Sequence, residues 1–114
     1  MPKGVSIKLT LKIMLSLETE NGYVFGEGLF KILSKIEELG TLRGATKELG
    51  ITYRRAWGKI EMSEQRIGKP LLETIEVENH REGAKLTTEA RLLIDKYLDI
   101  KGIVKGTDQT VEFI

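Results

Sequence analysis

Apolar and polar residues alternate along the first part of the chain, from Ser6 to Glu18. The apolar positions are Ile7, Leu9, Leu11, Ile13, Leu15 and Leu17. A period of two is typical of a half-buried β-strand, so we predict one strand here, with only Met14 out of phase. A small domain has few elements that could pack over so long an apolar face. We therefore expect these side chains to lie in the core or against a second subunit.

A hairpin turn is indicated directly after this segment, in the stretch TENGYVF. Asn21 and Gly22 suit the centre of a type I′ turn, because both central residues of that turn need positive φ. The sequence therefore predicts a second short strand after Gly22 and an N-terminal β-hairpin over residues 1–26.

Helical spacing begins after the glycines at positions 26 and 28. The first helix should place on its inner face Leu29, Ile32, Leu33, Ile36 and Leu39. Gly40 is a typical C-terminal stop, and Thr41 is a candidate N-cap for a second, short helix from about Leu42 to Leu49, closed by Gly50. Its inward positions are Leu42, Ala45 and Leu49.

A third helix is predicted behind Thr52, a second N-cap candidate, and should run to about Ile67. Its inward positions are Ala56, Ile60 and Ile67. Gly68 and Pro70 should end it. Residues 27–86 would then hold the three helices and the hairpin that follows them.

Two short strands follow, roughly Leu71 to Val77 and Ala84 to Leu86, joined by a polar loop with Asn79, His80, Arg81 and Gly83. Thr87 opens a last helix over residues 87–103, and residues 104–114 form a tail. One face of that helix carries Ala90, Leu93, Ile94, Tyr97 and Leu98. The length of 114 residues fits a single α+β domain.

The amino-acid composition limits the kinds of functional site that the chain can form. The chain has no cysteine and one histidine, so a disulfide framework, a thiolate metal site and a histidine cage are excluded, and we predict no metal or cofactor. It shows neither an apolar run of membrane-spanning length nor a secretion signal, so we predict a cytoplasmic protein without a membrane partner. Net charge is only +1, but residues 41–67 hold six basic and three acidic side chains.

This basic segment contains the residues of a helix-turn-helix. Gly50 permits a sharp turn, and Gly44 and Ala45 permit close crossing of the two helices. In such a unit the later helix enters the DNA major groove. We therefore predict that DNA is bound along the outer surface of this helix by Tyr53, Arg54, Arg55 and Lys59, and that phosphates are held by Thr41, Arg43 and Thr52.

The hairpin after Pro70 would be a wing that adds Arg81 and Lys85 to the DNA contact.

Several of these residues also have ordinary interpretations. Core packing or a subunit contact is as good an explanation of Tyr53 and Trp57 as DNA is, because large aromatic side chains usually bury area. For Arg81 and Lys85, DNA contact and simple solubility are equally favoured. We interpret His80 as an ordinary loop residue, since no second metal-ligating histidine or cysteine exists.

A family resemblance adds to this interpretation. The stretches GTLRGATKELGITYRRAW, IGKPLLE and GAKLTTEARLLIDKY resemble the DNA-binding domain of the molybdate-dependent transcriptional regulators, the ModE family, and more remotely the winged-helix domain of LysR-type regulators. The leading FGEGLFKIL is similar too, so the resemblance spans roughly Lys12 to Asp99. It implies a homodimer on a palindromic operator, formed through the first and last helices and the leading hairpin. The family's ligand-binding region would lie beyond Ile114, so molybdate is not expected as a ligand.

The sequence thus predicts a winged helix-turn-helix with an N-terminal β-hairpin and a long C-terminal helix, acting on double-stranded DNA as a homodimeric transcriptional regulator. The alternative is a winged-helix interaction module that partners a separate sensor or regulator. The near-zero net charge and the wing tip EVENHREG, which lacks the glycines common there, favour the alternative. No catalytic constellation is evident, so we do not expect an enzyme.

Overall fold

The computed structural model describes residues 4–9, 14–77, 81–104 and 109–113 of the chain. Within these ranges the protein is a mixed α+β structure with an arrangement compatible with a winged helix. In chain order the elements are β1 (Val5–Leu9), β2 (Ser16–Thr19), β3 (Gly22–Gly26), α1 (Glu27–Leu39), α2 (Leu42–Leu49), α3 (Tyr53–Ile67), β4 (Leu72–Val77), β5 (Arg81–Leu86), α4 (Thr88–Val104) and β6 (Gln109–Phe113). None of the helices in the described part is long and apolar enough to cross a membrane.

The bounds of α2 and α3 are those that the sequence predicted, whereas α1 begins at Glu27, before the glycine at position 28 after which helical spacing was expected. The Thr41 hydroxyl accepts a hydrogen bond from the Gly44 amide at 2.9 Å, and the Thr52 hydroxyl accepts one from the Arg55 amide at 3.1 Å. Each threonine therefore caps the helix that follows it. Gly50 ends α2 with φ 68°, a left-handed conformation that glycine adopts without strain.

The core lies between α1, the helix pair α2–α3 and the strands that flank them. Its fully buried large side chains include Phe25, Leu29, Leu33, Ile36, Ile60 and Leu71. Two residues of the predicted apolar helix faces, Leu39 and Leu98, remain 42% and 45% exposed. Leu39 is the last residue of α1, where the chain turns away at Gly40. Leu98 lies beside a narrow inner face of α4 that Tyr97 dominates.

Tyr97 anchors α4 against the start of α1. Its ring packs 5.3 Å from Phe25 and 5.4 Å from Phe30, measured between centroids, and its hydroxyl donates to Glu27 Oε2 at 2.6 Å. Lys101 Nζ lies 3.1 Å from the same oxygen. Burial and the hydrogen bond to Glu27 raise the pKa of Tyr97 to about 12. The same hydrogen bond, together with Lys101, lowers the pKa of Glu27.

The single strand predicted over residues 6–18 was wrong. The structure has two strands with different partners: β1 pairs antiparallel with β6, with Val5 opposite Phe113, and β2 pairs antiparallel with β3. Part of the predicted tail is therefore a strand. A period of two identifies the face of a side chain but not the partner of a strand, so the alternation could not separate these two elements. Leu11 and Ile13 lie outside the described residues.

The apolar side chains of β1 are not part of the core of one subunit. Val5, Ile7 and Leu9 are 53%, 42% and 45% exposed. Leu15 and Leu17, in contrast, pack partly against the core. Of the two predicted alternatives, the core does not hold for the β1 side chains, and their contact with a second subunit stays a prediction.

Both hairpins differ from their predicted bounds. Thr19 pairs with Gly22, so Glu20 and Asn21 form the loop between β2 and β3, one residue earlier than predicted. The Thr19 hydroxyl accepts a hydrogen bond from the Asn21 amide at 3.1 Å, which stabilises this turn.

The strand β5 begins earlier than predicted, because Arg81 already pairs with Val77. The backbone of this second hairpin is fixed to the helices, since the Ala84 amide donates to the Gly40 carbonyl at 2.8 Å. Asn79 and His80 lie outside the described residues.

Candidate nucleic-acid interface

The turn between α2 and α3 sets the direction of α3. The Ile51 amide donates to the Thr46 carbonyl at 3.1 Å, and the Gly50 amide donates to the Lys47 carbonyl at 3.4 Å. The third helix then packs into the core through Ala56, Ile60 and Ser63, which are all fully buried. The opposite face of α3 consequently points to solvent.

This outer face carries Arg54, Gly58, Glu61 and Gln65, which are all exposed. Their spacing of three and four residues places them on one side of a helix. Arg54 and the neighbouring Arg55 form no salt bridge with any described carboxylate. The structure thus places two guanidinium groups on the exposed surface at the start of α3.

One flank of α3 faces the β4–β5 hairpin and forms a cleft with it. Tyr53 and Trp57, one helical turn apart, are 42% and 43% exposed there. The Arg43 guanidinium, from the start of α2, stacks on the Tyr53 ring with its Cζ atom 4.6 Å from the ring centroid. The cleft has a volume of about 710 Å³ and is closed on the other side by Leu72, Thr74 and Ala84.

The other flank faces α1 and β3, and here one site prediction needs correction. Lys59 is half-buried, and its Nζ would lie 3.6 Å from a Cβ atom added at Gly28. It therefore lies beside the start of α1 rather than on the outer face of α3. The Arg66 side chain donates a hydrogen bond to the Tyr23 carbonyl. One of the six cations counted in the basic segment is thus used inside the fold.

The two capping threonines keep a donor for a ligand. Each hydroxyl accepts one backbone N–H, and a hydroxyl has a hydrogen of its own to donate. The first turn of a helix also favours negative charge. Gly44 makes the first cap possible, because a Cβ atom there would lie only 2.7 Å from Thr41 Oγ1. Thr41 and Thr52 are suited by chemistry to hold anions.

The predicted contribution of the β4–β5 hairpin is less well supported by its geometry. Lys85 is exposed but lies opposite Glu73, one residue out of phase with the cleft residue Ala84, so it faces away from the cleft. The Arg81 backbone belongs to β5, while its side chain lies outside the described part of the structure. The structure thus brings together Thr41, Arg43 and Tyr53 but not Lys85.

The sequence analysis did not assign several residues of the cleft. Trp57 was left open, and Leu72, Thr74 and Glu64 were not considered. The spacing of Tyr53 and Trp57 was a signal for a shared flank, but nothing local indicated that the β4–β5 hairpin would face it. Glu64 also has an internal role, because its Oε2 accepts a hydrogen bond from the Leu71 amide at 2.7 Å.

Within the described ranges no three metal-ligating side chains come together. The arrangement offers cations, hydroxyl donors and aromatic faces around an exposed helix. Those groups suit non-covalent binding of an extended polyanion.

The chain is similar to a known transcriptional regulator. Over 95 residues the chain is 28% identical to the transcriptional regulator ModE of Haemophilus influenzae. The similarity covers 83% of this chain but only 35% of that regulator, so the chain spans about a third of its relative's length. No model of a protein family matches the chain.

Proposed function

We propose that this chain is a sequence-specific DNA-binding transcriptional regulator of the winged-helix type. In this proposal α3 is the recognition helix and lies in the major groove, and the β4–β5 hairpin is the wing. The similarity to a transcriptional regulator over most of the chain supports the proposal. The capped helix pair, with its sharp glycine turn, supports it independently.

One observation carries the proposal: Arg54 and Arg55 are exposed at the first turn of α3 and are not neutralised by any described carboxylate. Guanidinium groups bind the acceptor edge of guanine in the major groove and also bind phosphate. A solvent-facing pair of arginines on a core-anchored helix therefore supports a role of α3 in reading a duplex.

The first experiment is selection of bound sequences from a random duplex pool, followed by an anisotropy titration of the Arg54→Ala/Arg55→Ala variant. Binding should weaken by about 1–3 kcal/mol for each arginine that contacts a base. Arg91→Ala is the matched control, because Arg91 pairs with Glu37 on another surface. Equal affinity of the double variant and the control would remove α3 as the reading element.

We further propose that the protein acts as a homodimer on a palindromic operator. The exposed apolar residues of β1 and, on α4, the exposed Leu92 and Ile103 support this proposal, because apolar patches of this kind are typical of subunit contacts. The α1 helix buries most of its apolar face within one subunit, so β1 and α4 are the better candidates. Half-sites about one helical turn apart in the selected sequences would fit a dimer.

A second candidate function is a protein-interaction module that retains the winged-helix shape. The net charge of +1 and the exposed apolar side chains of β1 favour it. The salt dependence of binding affinity distinguishes the two functions. DNA affinity should fall steeply between low and physiological salt, because bound counterions are released, whereas an apolar protein contact should barely respond.

A further inference from the structure

The cleft between α3 and the wing has features that the fold itself does not require. Two large aromatic side chains, Tyr53 and Trp57, leave more than two fifths of their surface in solvent, beside an apolar wall with Leu42 and Leu72. A chain of this size gains stability by burying such residues. Their exposure in a shared cleft indicates that an outside molecule covers them.

Charge at the mouth of the cleft identifies the kind of molecule. Arg43 stacks on the Tyr53 ring with 4.6 Å between its Cζ atom and the ring centroid. It forms no salt bridge with any described carboxylate. The ring holds the planar guanidinium in one orientation, which reduces the entropy lost when it binds an anion.

Thr41 adds a hydroxyl donor beside Arg43 at the start of α2, where the helix dipole favours negative charge. Glu64 is the acidic side chain among the lining residues, and its Oε2 is already engaged by the Leu71 amide. The cleft therefore combines an anion-binding mouth with an aromatic and aliphatic wall. A sugar–phosphate chain has this combination of charge and apolar surface.

From this combination we infer that one sugar–phosphate strand of the DNA duplex lies in the cleft between α3 and the wing. Arg43 and Thr41 bind a phosphate, and Trp57 packs against the neighbouring deoxyribose. Tyr53 is a positioning residue that holds Arg43. The inference rests on the proposed function and adds to it the roles of the two aromatic residues, Trp57 as a deoxyribose contact and Tyr53 as the residue that positions Arg43.

The first test uses the fact that Trp57 is the only tryptophan in the chain, so its fluorescence reports on the cleft directly. Acrylamide quenching is measured with and without the duplex obtained by selection, while anisotropy of the labelled duplex reports binding. We expect the quenching constant to fall at least about twofold on binding. Bound duplex with unchanged quenching would overturn the inference and leave the proposed function intact. Absence of duplex binding would overturn both.

The second test separates the ring of Tyr53 from its hydroxyl. Tyr53→Phe keeps the stacking surface and should bind within about twofold of the parent, whereas Tyr53→Leu should lose about three- to tenfold in affinity. Arg43→Gln should lose a similar amount and lower the slope of affinity against salt by about one phosphate contact.

The inference also requires that the effects of the Arg43 and Tyr53 substitutions on affinity be coupled. In the Arg43→Gln background, Tyr53→Leu should cost little more, because the arginine that it positions is already absent. Thermal unfolding of each variant shows whether the fold is retained. Additive losses, or a loss in Tyr53→Phe equal to that in Tyr53→Leu, would overturn the positioning role. Protection of Trp57 by another protein but not by DNA would assign the cleft to a protein partner and overturn the inference as well.

Discussion

Apolar side chains are buried in the helix core but exposed in the β1–β6 ribbon, the antiparallel pair formed by β1 and β6. In the core, Leu33, Ile36 and Ile60 have no exposed surface at all. In the ribbon, Val5, Ile7 and Leu9 keep 53%, 42% and 45% of theirs. Both regions have a regular apolar pattern in the sequence, so pattern alone does not decide whether a face is buried within one subunit.

The difference lies in the number of packed layers. Helices α1 and α3 and the adjacent strands cover one another's apolar faces, which gives a closed core. The ribbon has only two strands, and an isolated pair of strands is marginally stable in water. The helix core is thus sufficient for its own stability, whereas the ribbon requires an additional cover. In our proposal that cover is a second copy of the chain.

The largest effect should come from the core. Ile60→Ala removes a fully buried core side chain of α3 and should lower the free energy of unfolding by about 2–5 kcal/mol. Ile7→Ala, measured by urea unfolding at a protein concentration low enough to keep the chain monomeric, should cost no more than about 0.5 kcal/mol. Similar losses at both positions would abolish the distinction between the two regions.

The next effect concerns association. Ile7→Asp places a charge on the exposed apolar face of β1 and should weaken dimer formation at least about tenfold, since the contact would bury that carboxylate. Ser6→Asp, on the opposite face of the same strand, is the matched control and should associate like the parent. Sedimentation velocity over a concentration series measures both. A monomeric parent protein, or equal effects of both variants, would contradict the proposed cover.

The same contrast explains how much of the fold could be predicted from sequence. The bounds of α2 follow from Thr41 and Gly50, because capping is a short-range interaction between residues three or four apart. The split between β1 and β2 and the pairing of β1 with β6 could not be predicted, because a strand's partner is set by contacts distant in sequence.

The same distinction between short-range and long-range interactions applies to the candidate site. Helical spacing from the buried Ala56 and Ile60 placed Arg54 and Arg55 on the outer surface correctly. The stacking of Arg43 on Tyr53 joins two helices, and the position of Lys59 beside Gly28 joins α3 to α1. Neither is encoded by a local pattern, since both depend on how the elements pack.

Two glycines of the helix pair should respond with opposite signs. Gly50 has φ 68°, so Gly50→Ala forces a left-handed alanine and should cost about 1–2 kcal/mol. Gly58 is a helical residue in the middle of α3 with nothing within 4 Å of an added Cβ atom, so Gly58→Ala should stabilise by about 0.5–1 kcal/mol. Urea unfolding measures both. Two effects of the same sign would contradict the view that the fold needs a glycine at position 50 but not at position 58.

The last test concerns α4, whose inner face is anchored to the core through Tyr97, while Leu92 and Ile103 on its outer face are exposed. Tyr97→Phe keeps the ring but removes the hydrogen bond to Glu27. Because the Glu27 side chain is 47% exposed, we expect a loss of only about 1 kcal/mol at neutral pH. A loss as large as that of Ile60→Ala would make the anchor part of the core itself.

The pH dependence of that loss identifies its cause. The pKa of Tyr97 is raised from 10.0 to about 12, so its contribution to stability is full below pH 10 and disappears as the pH rises towards 12. The pKa of Glu27 is lowered from 4.5, so its contribution disappears as the pH falls below that value. The difference in unfolding free energy between the parent and Tyr97→Phe should therefore be constant near neutrality and shrink at both extremes. A difference independent of pH from 3 to 11 would mean that the hydroxyl acts through packing and not through its bond to the carboxylate.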